Sequence, residues 1–342
     1  MSETRQVINR EDAEPPFFVG VDLGGTNIKV GVVDDRGRSL VRRSVPTHSH
    51  LGPEDGARRM GEAVLDAIAE VGVEPADVGR VGLGTPGTMD IPAGMMLEPH
   101  NLPGWENFPV RDRVSHHCRL PVSYANDAGA AAFGEFWVGS GEAFDSMVML
   151  TLGTGIGGGI IVDGRSIDGE HSHGAECGHV IIDMRPDARV CPCGQPGHLE
   201  GYAGAVAIIS RTEEALAAGR KSQLNDRVAA GEQITPLLLN ELAEQGDELS
   251  LEIIMQTAEY LGVGIVTLMH TIDPDGVVLG GAMTFGGHET NLGRRFLARV
   301  KQEVQQRAFP VLRDTTVIDF ARLGGDAGYI GAAGIARSDY HR

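Results

Sequence analysis

Hydrophobic and polar residues follow two rhythms along this chain. Short apolar, β-branched runs at 17–21, 28–33, 79–84, 147–152, 158–162, 277–280 and 315–320 have the length and composition of strands. Between them apolar residues recur at helical spacing near 55–71, 128–137, 204–217, 251–270, 289–306 and 326–337. Strands and helices in alternation predict an α/β architecture with sheets covered by helices. The segment 219–249 is polar, has little strand character, and predicts a helical insertion on the surface.

One pattern occurs twice. Residues 19–37 run VGVDLGGTNIKVGVVDDRG, and residues 149–165 run MLTLGTGIGGGIIVDGR. Each is an apolar strand, a turn built on Leu-Gly, a second apolar strand, and an Asp/Gly turn. Two unrelated hairpins would share the glycines. Leu23/Leu152, Gly24/Gly153 and Asp34/Asp163 also fall at nearly equal offsets, so we read two copies of one module, expected to face each other across a cleft.

Composition narrows the function. The 342 residues are too many for one small core and suit two modest domains. Net charge is −18, which disfavours nucleic acid and anionic membranes as partners. No apolar run approaches the ~20 residues that a membrane helix needs. The polar start MSETRQVINREDAEPP lacks a signal-peptide core, which predicts a cytoplasmic protein with a solvated tail. Four cysteines make no disulfide framework. An anionic ligand must therefore be held locally, by backbone amides, a metal ion or helix N-termini.

The glycine turns have that capacity. Asp22 ends a strand, and Gly24, Gly25, Thr26 and Asn27 follow. Glycines let backbone N–H groups approach an anion, and Thr26 and Asn27 add side-chain donors. Lys29 can add a charge, although strand alternation can turn it away. An acid at Asp22 beside a phosphate makes sense with a divalent cation between them. The second turn, with Gly153, Thr154, Gly155 and Gly157–Gly159, offers another row of amides. Neither turn is followed by Gly-Lys-Ser/Thr, and each joins two strands, which excludes a Walker loop and a Rossmann fingerprint. A third site, Gly280-Gly281, ends a strand ahead of a predicted helix. It fits adenosine or phosphate against a helix N-terminus, or simply a tight turn.

Two further clusters carry chemistry. Asn126-Asp127 closes a short strand where an Ala-rich helix begins, so Asp127 is either an N-cap or a base that accepts a hydroxyl proton, with Asn126 fixing a neighbouring hydroxyl. Cys191, Cys193 and His198, with His179 upstream, form a Cys₂His₂ set able to close a tetrahedron around Zn²⁺. His171 and His173 are rival ligands. Glu176 and Glu200 flank the cluster as carboxylates for vicinal hydroxyls.

Together these motifs resemble the ROK family of bacterial sugar kinases and repressors, over about residues 18–336. The matching segments are DLGGTN at 22–27, GLGTPG at 82–87, NLPGW at 101–105, AND at 125–127 and LGTGIGGG at 152–159. They continue with GAECGH at 174–179, CPCGQPGHLE at 191–200, VVLGGA at 277–282 and GGDAGYIGAA at 324–333. The resemblance implies an actin-like, ribonuclease-H-like two-lobed ATPase fold with a structural zinc loop. The expected lobes are 17–125 plus 326–342, and 126–325 with the zinc loop at 179–198 and the insertion at 211–250, after a disordered tail at 1–16.

It implies ATP, Mg²⁺ and structural Zn²⁺, and a hexose phosphorylated at its 6-hydroxyl with Asp127 as base. Asn126, Glu176, His179 and Glu200 match sugar-contacting positions, and Gly87 and Asn101 complete the candidate substrate set. His179 also matches a zinc ligand. The family usually has a third cysteine where this chain has His198. Glucose is the expected sugar, with fructose, mannose and N-acetylated amino sugars as alternatives, and a homodimer or homotetramer is expected. The repressor branch carries an N-terminal helix-turn-helix of roughly sixty or more residues; with about sixteen residues before the first strand and a net charge of −18, a DNA-binding repressor is not the expected reading. A sugar-sensing module without catalysis is the second reading.

Overall fold

The structure, a computed structural model, describes residues 7–99 and 101–342. The chain begins with β1 (Phe17–Leu23), β2 (Asn27–Val33), β3 (Ser39–Pro46), α1 (Pro53–Glu70), β4 (Val78–Thr85), β5 (Thr88–Asp90) and β6 (Met95–Glu98). It continues with α2 (Val110–Cys118), β7 (Val122–Asn126), α3 (Asp127–Val138), β8 (Ser146–Leu152), β9 (Ile156–Val162) and β10 (Arg165–Ser166). Helices α4 (Glu200–Ala203), α5 (Ala205–Ala217), α6 (Leu224–Ala229), α7 (Pro236–Glu244) and α8 (Glu248–Ile272) follow. The last elements are β11 (Gly276–Gly281), α9 (Asn291–Arg307), α10 (Pro310–Thr315), β12 (Val317–Phe320) and α11 (Ala327–Tyr340).

Two five-stranded sheets share one plan, β3-β2-β1-β4-β7 and β10-β9-β8-β11-β12. In each, the first three strands follow in sequence and two later strands add beyond the first. In the first sheet β1 pairs antiparallel with β2 and parallel with β4, and β4 pairs parallel with β7. In the second, β11 lies parallel between β8 and β12. The chain divides into two units, 1–144 with 159–175 and 321–342, and 145–158 with 176–320.

In the first unit the sheet is apolar on both faces, as a strand covered by helices on each side must be. Val19, Val21 and Leu23 face α1 and α2 in a core that includes Met60, Val64, Ile68, Val114 and the buried Trp105. Phe18 and Val33 face α11 with Tyr329, Ile330 and Ala333. Gly20 and Gly82 make that side work. A Cβ on either would overlap the α11 backbone at Tyr329 or Ala332, so only glycine lets the helix lie this close. Helix α3 packs on α11 in the same way, with Gly134 against the Ala327 carbonyl. Residues 126–144 consequently lie in the first unit, whereas the expected boundary fell at 125/126.

Other differences have local causes. Residues 7–16 are docked on the first unit, although most of them stay exposed: the Ile8 N–H donates to Ser39 O at 2.9 Å, and the Glu14 N–H donates to the buried Asp34 carboxylate at 3.1 Å. Residues 1–6 of the expected tail lie outside the described residues. Strand β3 escapes the hydrophobic pattern because it is an edge strand carrying Arg42 and Arg43. The last strand starts at Val317, since Pro310–Thr315 forms α10. The insertion is helical but not wholly superficial: Leu238, Leu239 and Leu242 of α7 are buried beside α8.

Helix α8 is, by length and composition, long and apolar enough to cross a membrane, contrary to the expectation of no such run. More than half of it is buried, including Ile254, Ala258, Leu261 and Ile265, as in a core helix. It starts where Asp247 accepts the Ser250 N–H at 2.8 Å. Arg211 of α5 is buried against it, donating to Thr257 Oγ1 at 3.1 Å, Ile253 O at 3.0 Å and Gln256 Oε1 at 2.9 Å.

Candidate active site

In the first unit, three parallel strands end together. Register places Asp22 of β1 beside Gly84 of β4, and Thr85 of β4 beside Asn126 of β7. Asp22 and Asn126 thus sit at one sheet edge, two strand spacings or roughly 10 Å apart. This is the carboxyl edge at which open α/β sheets receive ligands.

Asp22 is largely buried, and burial raises its carboxyl above the ordinary 3.8 against the opposing pull of Lys29. Its carboxylate lies against Gly328 in the first turn of α11, where a Cβ would collide with it. Lys29, its antiparallel neighbour, donates to Gly325 O at 2.8 Å and so faces the start of α11. The turn itself is closed by the Gly24 N–H to Asn27 O at 2.9 Å. Thr47 braces it from the end of β3, donating its Oγ1 to Gly24 O at 2.7 Å and its N–H to Thr26 O at 2.9 Å. Asn101 packs beside Gly25. Gly87 has φ of +87°, and a Cβ there would meet Pro99 and Glu98 O; its glycine serves the β5–β6 hairpin whatever else it touches.

At β7 the cap and the acid separate. Asn126, not Asp127, is the N-cap of α3: its Oδ1 accepts the N–H groups of Ala128 at 2.9 Å and Gly129 at 3.2 Å, which leaves Nδ2 to donate elsewhere. Asp127 is the first helical residue and accepts the Ala128 N–H at 2.8 Å. Nearby, Tyr124 OH and Thr85 Oγ1 share a 2.9 Å hydrogen bond, and burial first, then the Asp127 charge, keep the phenol protonated. Residue-by-residue reading missed this pair; its only signal was Thr85 within GLGTPG.

In the second unit, the turn between β8 and β9 is closed by the Gly153 N–H to Gly155 O at 3.0 Å. The structure brings Gly280 and Gly281 beside it, paired with Thr151 and Leu152. Gly281 has φ of +89°, and a Cβ would overlap Leu152. The helix expected near 289–306 starts at Asn291, capped by Thr290, ten residues beyond Gly281, so its N-terminus does not adjoin this pair. Thr154 lies at the tip of the turn.

His179, Cys191, Cys193 and His198 converge, their ligand atoms all within 4.8 Å of one another. Cys191 Sγ is 3.8 Å from His179 Nδ1, and Cys193 Sγ is 3.2 Å from His198 Nδ1. A tetrahedron with ~2.0–2.3 Å bonds has edges of roughly 3.3–3.8 Å, so the donor set fits zinc in chemistry and size. His171 and His173 are not part of this group among the described residues. Burial pushes the Cys191 thiol up to about 12, so thiolate at neutral pH there calls for a bound cation. His179 turns its Nε2 towards Glu176 Oε2, 3.7 Å away. Glu200 opens α4 and is engaged twice: Oε2 accepts the Ile156 N–H at 2.8 Å, and Oε1 lies 3.4 Å from Cys191 Sγ.

The comparisons with known proteins agree with one another. The profile of the ROK family matches residues 18–339. A glucokinase of Thermotoga maritima is 32% identical over 320 residues, covering 94% of this chain and 97% of its own. A ROK hexokinase from Thermus thermophilus aligns in structure with a TM-score of 0.79 and 33% identity, covering 95% of this chain and 99% of that one. A ROK family glucokinase from Streptomyces griseus, solved in complex with glucose and AMPPNP, aligns with a TM-score of 0.72 and 32% identity over 94% and 99%.

Proposed function

Because the chain belongs to the ROK family and has its actin-like, ribonuclease-H-like α/β fold, we propose that it is an ATP-dependent hexokinase, a glucokinase that phosphorylates the 6-hydroxyl of glucose. The observation that carries this reading within the chain is the shared strand edge of Asp22 and Asn126-Asp127. It supplies a carboxylate for phosphate-side chemistry and another for a hydroxyl, two strand spacings apart.

In this mechanism Asp127 accepts the 6-hydroxyl proton as the oxygen attacks the γ-phosphorus. The bond to the β–γ bridging oxygen breaks, giving ADP and the sugar 6-phosphate. Asn126 holds a neighbouring hydroxyl through Nδ2, the end its capping role leaves available. Asn101, Gly87, Glu176, His179 and Glu200 are the other candidate sugar contacts. Amides of Gly24–Asn27 in the first unit are candidate phosphate contacts, as are those of Gly153–Gly155 in the second, with Gly280 and Gly281 beside them; Lys29 offsets part of the Asp22 charge. Asp22 would hold Mg²⁺, directly or through water; when bound, that ion neutralises charge on the phosphates. His179, Cys191, Cys193 and His198 would hold zinc, which when bound fixes the loops that carry Glu176 and Glu200.

The test is ADP release across a hexose panel with ATP and Mg²⁺, with the phosphate position in the product read by NMR. Asp127→Ala is expected to lose ~10²–10⁴ in kcat while keeping glucose affinity. A wild type that binds glucose and never forms ADP is instead a sensor.

A further inference from the structure

Residues 198–205 touch the metal-type cluster at one end and the second glycine turn at the other. At the cluster end His198 is a candidate ligand, the Leu199 N–H donates to Val180 O at 2.9 Å, and Gly201 packs on the Cys191 backbone. At the turn end the Ala205 N–H donates to Gly153 O at 3.1 Å, and Gly204 packs on Thr154 O. Glu200 alone reaches both with its side chain, one carboxylate oxygen beside Cys191 Sγ and the other on the Ile156 N–H. The fit is tight, since a Cβ on Gly155 would collide with Oε2.

We propose that Glu200 is a positioning residue through which zinc in the cluster sets the second glycine turn, and with it nucleotide affinity. The nucleotide half rests on the reading of that turn under Proposed function. The reasoning is mechanical. Helix α4 has four residues and no side-chain cap, so it does little to fix its own first residue. Ligation of Cys191 and His198 would fix the chain on either side of Glu200. The carboxylate then holds the Ile156 N–H and with it the shape of the turn. Without the metal, the Gly- and Pro-rich loop 191–198 leaves Glu200 without that anchor.

Coupling between sites is reciprocal and is typically 5- to 150-fold. Stripping zinc from the full chain is expected to weaken AMPPNP binding ~10-fold by calorimetry. It should also speed amide hydrogen exchange across 153–156. AMPPNP should slow zinc release to a chromogenic chelator in the wild type and not in Glu200→Ala. The zinc-loaded Glu200→Ala protein should exchange at 153–156 like the stripped wild type. Glu200→Gln keeps an acceptor for Ile156 and should restore most of the protection, which a merely structural loss would not.

Equal exchange and equal AMPPNP affinity with and without zinc overturn the proposal, as does zinc dependence that survives in Glu200→Ala. If the stripped chain unfolds, loaded Glu200→Ala decides alone, and wild-type protection at 153–156 overturns it. Failure of AMPPNP to protect 153–156 in the loaded wild type refutes the nucleotide reading of the turn. The zinc-dependent exchange at Ile156 still judges the coupling in that case.

Discussion

The two glycine turns are built on the same hairpin plan and are held in different ways. The first is braced from inside its own sheet, by Thr47 at the end of β3, and follows a partly buried acid, Asp22. The second has Thr151 where the first has Asp22, and its brace comes from the starts of α4 and α5, through Glu200 and Ala205. The closing aspartates differ as well. Asp34 is fully buried and accepts from the N–H groups of Arg36 and Arg38, whereas Asp163 sits in an exposed turn with φ of +51°. One turn is thus braced within its own sheet beside an acid; the other is braced by residues that follow the loop of the four candidate metal ligands.

Substitutions can break this contrast. Within the two turns, the largest effect is expected at Asp22. Asp22→Asn should lower kcat/KM for ATP about 10–100-fold, the usual cost of losing a group that supports a bound metal. It should also raise the melting temperature without ligand, because a buried carboxylate is costly to ionise. The sign follows from the shift. The folded pKa lies above the ordinary 3.8, so the folded state binds the extra proton, and stability falls as pH rises from 3.8 through the raised value. Acid titration of stability should lose that slope in the Asn variant, and an unchanged slope would remove the burial argument.

Next in size is Gly155→Ala, whose added methyl meets Glu200 Oε2 and should cost about 1–3 kcal/mol by denaturant titration. Gly153→Ala, two residues away, meets nothing within 4 Å and should stay within about 0.5 kcal/mol. Equal costs at 153 and 155 would mean that Glu200 does not brace the turn. Thr47→Val removes one hydrogen bond to the first turn and should cost about 0.5–1.5 kcal/mol, with no change in zinc content.

Much of this was legible in the sequence, for physical reasons. Strands covered by helices on both sides read as continuous apolar runs, and glycine turns announce themselves. The four metal-type ligands stood out by residue type alone. What stayed hidden depends on side-chain choices made in three dimensions. Asn126 and Asp127 could each have capped α3, and only the fold assigns the cap to Asn126. Glu200 was read as a carboxylate for sugar hydroxyls, and only the fold shows it between a backbone N–H and a cysteine. Gly87 was read as a candidate substrate contact and Gly281 as a nucleotide contact or a tight turn, and each answers to a neighbouring backbone. Strand β3 was hidden by its arginines, and the docked residues 7–16 by their polarity.

The central claim is phosphoryl transfer to a hexose at the edge shared by Asp22 and Asp127. Its most direct test is ADP formation by the zinc-loaded wild type with glucose, ATP and Mg²⁺, measured beside Asp127→Ala. The account predicts glucose-dependent ADP release that Asp127→Ala lowers by ~10²–10⁴ with glucose still bound. ADP release that ignores every hexose, or that survives undiminished in Asp127→Ala, would contradict it.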